Sequence, residues 1–211
     1  MLNQVDELLV GGMPPTSIGY FAFTRKAAHE ARDRAVNRFG LDPENDFTYF
    51  RTLHSLAFLL LGLNNSDILS DSNLKEFGNT VGVDLSSTNE SLEDDGFSIL
   101  RSNHPVMRCI DIARNTLQGP EYAYNFCNLQ MPLYEFEHLF KEYQRFKLSQ
   151  GLKDFTDMMV DLSASAGHIP YFQVVFLDEA QDLTPLQWQV ATQLDERSDR
   201  MYIAGDDDQG I

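Results

Sequence analysis

The sequence predicts an α/β protein with a mostly parallel, doubly wound sheet into which a helical segment is inserted. Three observations carry that expectation. Phe172 to Leu177 is a near-continuous apolar run, the pattern of a strand buried on both faces of a parallel sheet. Strand-like and helix-like stretches alternate at both ends of the chain, as in doubly wound folds. Between them the composition changes: residues 62–100 hold Lys75 as their single basic residue among many acidic ones. At 211 residues the chain suits one large domain or a core with an insertion, on a prior of roughly 150 residues per domain. The expected division is a core built from 1–62 and 151–211 around a helical insertion at 63–150.

Taken in order, Leu2, Val5, Leu8 and Leu9 share one face of a helix, which Gly11-Gly12 and Pro14-Pro15 terminate. No Ser, Thr, Asp or Asn precedes it as a cap. Ile18–Phe23 reads as a strand and Arg25–Arg38 as a helix with an alanine stripe, closed by Gly40. Phe47–Arg51 reads as a second strand, leading into a helix over about Leu53–Leu61. Helices are expected again at Val106–Leu117 and Leu133–Ser149, closed by Gly119 and Gly151, and at Asp154–Ala164. Thr184 is placed to cap a helix with Pro185 at its first position and Gln187 completing a capping box. Met201–Ala204 reads as a final buried strand. The uncapped start and the stop soon after that strand lead to the expectation of a fragment cut inside a larger fold.

Apolar residues at 43% and charged residues at 23% belong to an ordinary globular protein rather than a disordered or disulfide-rich one. Two cysteines, Cys109 and Cys127, form no bridge framework or metal-ligand spacing, which suits a reducing, intracellular compartment. The apolar run at Leu56–Leu61 is far shorter than the roughly 18 residues of a membrane span, and no secretory signal opens the chain. The formal charge of −16 argues against a uniformly basic nucleic-acid binder. The charge is unevenly spread, however. Arg25, Lys26, Arg32, Arg34 and Arg38 outnumber Glu30 and Asp33 in one segment, while carboxylates crowd 62–100 and 174–211.

The chemistry is expected where the last two strands end, because open α/β sheets bind ligands at the carboxyl ends of their strands. Asp178-Glu179-Ala180-Gln181-Asp182 follows one, and Asp206-Asp207-Asp208-Gln209 follows the other. An apolar strand delivering Asp-Glu suits nucleotide hydrolysis. The aspartate offers Mg²⁺ a hard oxygen, the glutamate can orient and deprotonate water, and a glutamine amide can meet a phosphate oxygen. Asp and Glu after a strand are also ordinary turn residues, and it is the joint pattern that favours the functional reading.

At these residues the sequence resembles the UvrD/Rep-type superfamily 1 DNA helicases. Val174 to Asp182 is similar to that family's motif II, and Ala204 to Ile211 to its motif III. Phe21-Ala22-Phe23-Thr24-Arg25-Lys26-Ala27-Ala28 is similar to motif Ia, and Arg51-Thr52-Leu53-His54-Ser55 to motif Ib. The resemblance implies a P-loop NTPase, RecA-like core, with 63–150 in the position of the helical subdomain 1B. It implies ATP as substrate and Mg²⁺ as cofactor. Asp178 would be the metal ligand, Glu179 the catalytic base and Gln209 the γ-phosphate sensor, with Asp178, Glu179, Gln181 and Gln209 around the nucleotide. Phe23, Thr24, Arg25, His54 and Ser55 would face single-stranded DNA, and movement would be 3′→5′. The family's P-loop, G-x-x-x-x-G-K-[S/T], does not occur in the chain, since none of Lys26, Lys75, Lys141, Lys147 and Lys153 follows a glycine. The isolated chain is therefore expected to be inactive as an ATPase. Two other classes fit less of the pattern: a non-catalytic DNA-binding or interaction module without a P-loop, and a metal-dependent nuclease using Asp178, Glu179, Asp182 and Asp206–Asp208. The motor part of a helicase–nuclease would carry the same motifs.

Overall fold

The computed structural model describes residues 1–85 and 104–206. Among these, four parallel strands form one sheet in the order β2-β1-β3-β4, with β1 at Ile18–Phe21, β2 at Phe50–Arg51, β3 at Val174–Leu177 and β4 at Met201–Ile203. Phe21 is level with both Arg51 and Leu177, and Leu177 with Ile203. The four strands therefore end at one level, and the segments that follow them leave along one edge.

Side-chain alternation assigns the two faces. Ile18, Tyr20, Val174 and Phe176 pack with Phe50 against α1 (Leu2–Val10) and α2 (Arg25–Phe39). Ala28, Ala31 and Ala35 are the buried residues of α2, and their small side chains let the helix lie close on the sheet. On the other face Phe21, Val175 and Leu177 meet α3 (Leu53–Leu60), α8 (Phe155–Ala164) and α9 (Pro185–Glu196). Gly19 sits where a Cβ would come within 2.7 Å of the Phe21 ring, so this position of β1 has room for hydrogen alone.

Several elements differ from expectation. Strand β1 ends at Phe21, and Ala22 and Phe23 belong to the turn into α2. The second strand is confined to Phe50–Arg51, because Asp42 accepts the amides of Glu44 and Asn45 and winds the preceding residues into a turn. Phe47 is buried there by its edge contact with Phe50 instead of by strand pairing. Strand β3 starts at Val174, Phe172 keeping only an isolated bridge to Ser198. Strand β4 is not buried: it pairs with β3 on one side alone among the described residues, and Ile203 is 55% exposed. Gly119 does not close α5 (Pro105–Asn115). Leu117 takes the left-handed turn, at φ 62°, and Gly119 opens α6 (Gly119–Phe126).

A second core gathers α4 (Asp71–Val81), α5, α6 and α7 (Leu133–Gln150) around Phe77, Ile110, Phe136 and Tyr143. The segments leading to and from it run side by side, with Leu69 N–H donating to Lys153 O and Lys153 N–H to Asp67 O. An ionic cluster closes the junction. Arg114 of α5 reaches Asp154 at 2.6 Å and also Asp157, and Lys147 of α7 reaches both carboxylates at 2.5 Å. Asp154 and Asp157 in turn form the capping box that starts α8.

Candidate functional site

Because the strands are parallel and level, residues 22–25, 52–55, 178–182 and 204–206 share one edge of the sheet. Main-chain bonds lock these segments to the strands: Asp178 N–H donates to Phe21 O at 2.8 Å, Ala180 N–H to Ala204 O at 2.9 Å and Ala22 N–H to Arg51 O at 3.2 Å.

Asp178 follows β3 directly and is half-buried. Its Oδ2 accepts the Tyr20 hydroxyl at 2.5 Å, and its Oδ1 accepts the Glu179 N–H at 3.2 Å. Burial, and then the bond to Asp178, pushes the Tyr20 phenol far above its ordinary range, so it stays a neutral donor. Glu179 is exposed and holds a left-handed backbone at φ 55°, uncommon for a residue with a Cβ. Strain of this kind clusters at functional sites. The turn throws the Glu179 carboxylate out beside Asp178, where its Oε2 accepts the Gln181 amide at 2.7 Å.

Gln181 joins the two acidic segments. Its Nε2 donates to Glu179 while its Oε1 accepts the Asp206 N–H at 3.1 Å. Gly205 makes this possible, since a Cβ there would lie 2.9 Å from the Gln181 Oε1. Nothing in the spacing of the sequence announced this bridge or the Tyr20 bond.

The donors suit Mg²⁺ bound beside phosphates, a mode that uses one or two carboxylates and leaves the other positions to water and substrate oxygens. Asp178 supplies such an oxygen on a fixed backbone. No group of three or more His, Cys, Asp or Glu side chains among the described residues could hold a metal ion. Asp178, Glu179, Asp182 and Asp206 thus form no protein-only metal cluster among the described residues. Asp207, Asp208 and Gln209 lie outside the described residues.

The residues expected to face DNA emerge on the same edge, on the β1 and β2 side. Thr24 caps α2, its Oγ1 accepting the Ala27 N–H at 3.2 Å, and Phe23 and Arg25 flank it half-buried. Ser55 donates its N–H to Thr52 Oγ1, while its carbonyl and hydroxyl oxygens accept from Arg51 at 3.2 and 3.4 Å. His54 stands edge-on to Phe155 at 5.7 Å. The basic run of α2 is partly consumed within the protein. Arg34 at 3.0 Å and Arg38 pair with the buried Asp6 of α1, and Arg32 with Asp33. No helix among the described residues is long and apolar enough to cross a membrane.

Comparison with known proteins agrees with this architecture. Over 214 residues the chain is 26% identical to the ATP-dependent DNA helicase PcrA of Bacillus subtilis, covering 93% of this chain and 27% of the relative. Over 216 residues it is 24% identical to the putative ATP-dependent DNA helicase YjcD of the same organism, covering 95% and 27%. The chain thus spans about a quarter of the length of these relatives. Residues 2–211 match the profile of the UvrD/REP helicase N-terminal domain, and the chain belongs to that helicase family, whose N-terminal domain has the P-loop NTPase type of α/β fold.

Proposed function

We propose that this chain is part of the first motor domain of an ATP-dependent DNA helicase or translocase that couples Mg-ATP hydrolysis to 3′→5′ movement on single-stranded DNA. The observation that carries the proposal is Asp178-Glu179 at the carboxyl end of β3, on the sheet edge shared with residues 22–25 and 52–55. When bound, Mg²⁺ supplies charge neutralisation at the phosphates. Asp178 holds the ion, Glu179 takes the proton of the attacking water, and Gln181 keeps the Glu179 carboxylate aimed. Gln209 senses the γ-phosphate. Phe23 supports a DNA base, and Thr24, Arg25, His54 and Ser55 lie along the strand's backbone. The helices of 63–150 act as an inserted subdomain, a division supported by their separate apolar core.

The test is DNA-stimulated ATP hydrolysis by the full-length protein. Glu179→Gln is expected to lower the rate at least ~10²-fold, the scale of a lost general base, without loss of DNA binding. The isolated 211 residues, which contain no P-loop lysine, are expected to hydrolyse no ATP. Unchanged turnover in Glu179→Gln would overturn the assignment of the base.

A further inference from the structure

We infer that Tyr20 is the positioning residue of Asp178, a phenol fixed by an aromatic ladder so that one carboxylate oxygen is held and the other is left to the metal. The inference rests on Asp178 being the metal ligand, as proposed above. Four aromatic rings line one face of the sheet, one from each strand. Phe50, Tyr20, Phe176 and Tyr202 are direct register partners in that order. Their centroids are 5.6, 6.1 and 5.2 Å apart, with interplanar angles of 15°, 36° and 14°. Tyr20 is second in the row and 2% exposed, so its ring has neighbours on both sides and cannot swing.

An aspartate carboxylate turns easily about its last torsion, whose energy profile is broad. A charge-assisted hydrogen bond of 2.5 Å from an immobile donor to Oδ2 stops that rotation. It leaves Oδ1, whose other contact is the longer 3.2 Å amide of Glu179, as the oxygen open to a cation. A lysine or arginine would also fix the carboxylate, but its charge would oppose a divalent ion. A neutral hydroxyl orients without that repulsion. Tyr20 and Asp178 are 158 residues apart in the chain, and the pair exists only because β1 and β3 are adjacent.

The experiment uses the full-length protein, with Mn²⁺ binding to its ADP complex followed by electron paramagnetic resonance and Mg²⁺ dependence followed in the DNA-stimulated ATPase. Tyr20→Phe keeps the ladder and removes the hydroxyl. The Mn²⁺ Kd and the half-saturating Mg²⁺ are expected to rise about tenfold, the usual effect of losing a group that orients a metal ligand. The rate at saturating Mg²⁺ is expected to stay close to the parent's. 4-Aminophenylalanine at position 20, which restores a donor, is expected to recover the metal affinity. 4-Fluorophenylalanine at position 20 fills the hydroxyl's volume without donating and keeps the test open should the vacated space unfold Tyr20→Phe. An unchanged Mn²⁺ Kd in the donor-free variants, with Asp178→Asn abolishing binding, would overturn the role of Tyr20 alone. Undiminished Mn²⁺ binding in Asp178→Asn would instead remove Asp178 as the ligand, and both readings with it.

Discussion

Two groups of carboxylates in this molecule are built to opposite rules. At the junction of the helical region with α8, Asp154 and Asp157 meet Arg114, Lys147 and the Tyr143 hydroxyl, and Lys147 is 2% exposed. Burial alone would raise the Asp154 pKa. Lys147 and Arg114 outweigh it and hold that carboxyl well below the usual carboxylate range. At the sheet edge, no ion pair among the described residues reaches Asp178 or Glu179, and their side chains meet neutral donors from Tyr20 and Gln181. A carboxylate matched with internal cations has spent its charge on the fold. One held only by neutral dipoles keeps a charge that the fold itself does not compensate.

The two groups should therefore separate activity from stability. Glu179→Gln is expected to remove nearly all ATP turnover from the full-length protein, yet to shift unfolding free energy by no more than about 0.5 kcal/mol, as for an exposed site outside the core. Lys147→Met should do the reverse. Removing one partner of a buried ionic cluster leaves the remaining charges uncompensated and costs about 3 kcal/mol or more. Denaturant titration measures the loss, and turnover per folded molecule should be nearly unchanged. If Lys147→Met spared stability, or Glu179→Gln cost as much, the contrast between the two groups would fail.

What the sequence made legible follows from the range of the interactions. Local chemistry was readable: Thr184, Pro185 and Gln187 start α9 through the capping box their spacing announces. The apolar Val174–Leu177 is buried on both faces as its composition requires. Where local signals are mixed, the local pattern misleads. Gly119 reads as a helix stop and instead opens α6, while α4 opens on a Ser70/Asn73 box that lacks the usual Glu or Gln and so gives no plain start signal. The strand-like Phe47–Tyr49 lost to the Asp42 turn that precedes it. The charge pattern of α2 gave the residues but not the partner, because Asp6 lies on another helix. In the candidate site, Asp178 and Glu179 stand out as a motif. Tyr20 and the Gln181 bridge stay hidden because sheet topology, not spacing, brings their partners close.

A smaller effect probes how the edge is assembled. Gly205→Ala puts a Cβ 2.9 Å from the Gln181 Oε1 and 3.2 Å from its backbone nitrogen, a crowding expected to cost about 1 kcal/mol. Gln181→Ala removes the side-chain part of that conflict. The double variant should lose less than the sum of the two single changes, a coupling that calorimetric melts of the three proteins would reveal. Strict additivity would mean that Gly205 is not there to make room for the bridge.

The junction also holds a carboxyl that its cations do not satisfy. Asp111 of α5 is half-buried, and its pKa is pushed up to about 7 by desolvation and then by repulsion from Asp154, with Arg114 and Lys147 acting the other way. The folded protein binds this proton more tightly than the unfolded chain does. The stabilisation is complete below the ordinary carboxylate range near pH 4 and is lost as pH rises through about 7. Asp111→Asn carries no charge at any pH and should abolish that part of the slope. The variant is thus expected to gain on the parent between pH 5 and 8 by roughly 1 kcal/mol, a modest figure because water still reaches the group. Unfolding free energies of both proteins at the two pH values test this. A constant difference would mean that Asp111 ionises alike in the folded and unfolded chain, and that Arg114 and Lys147 compensate it as fully as they do Asp154.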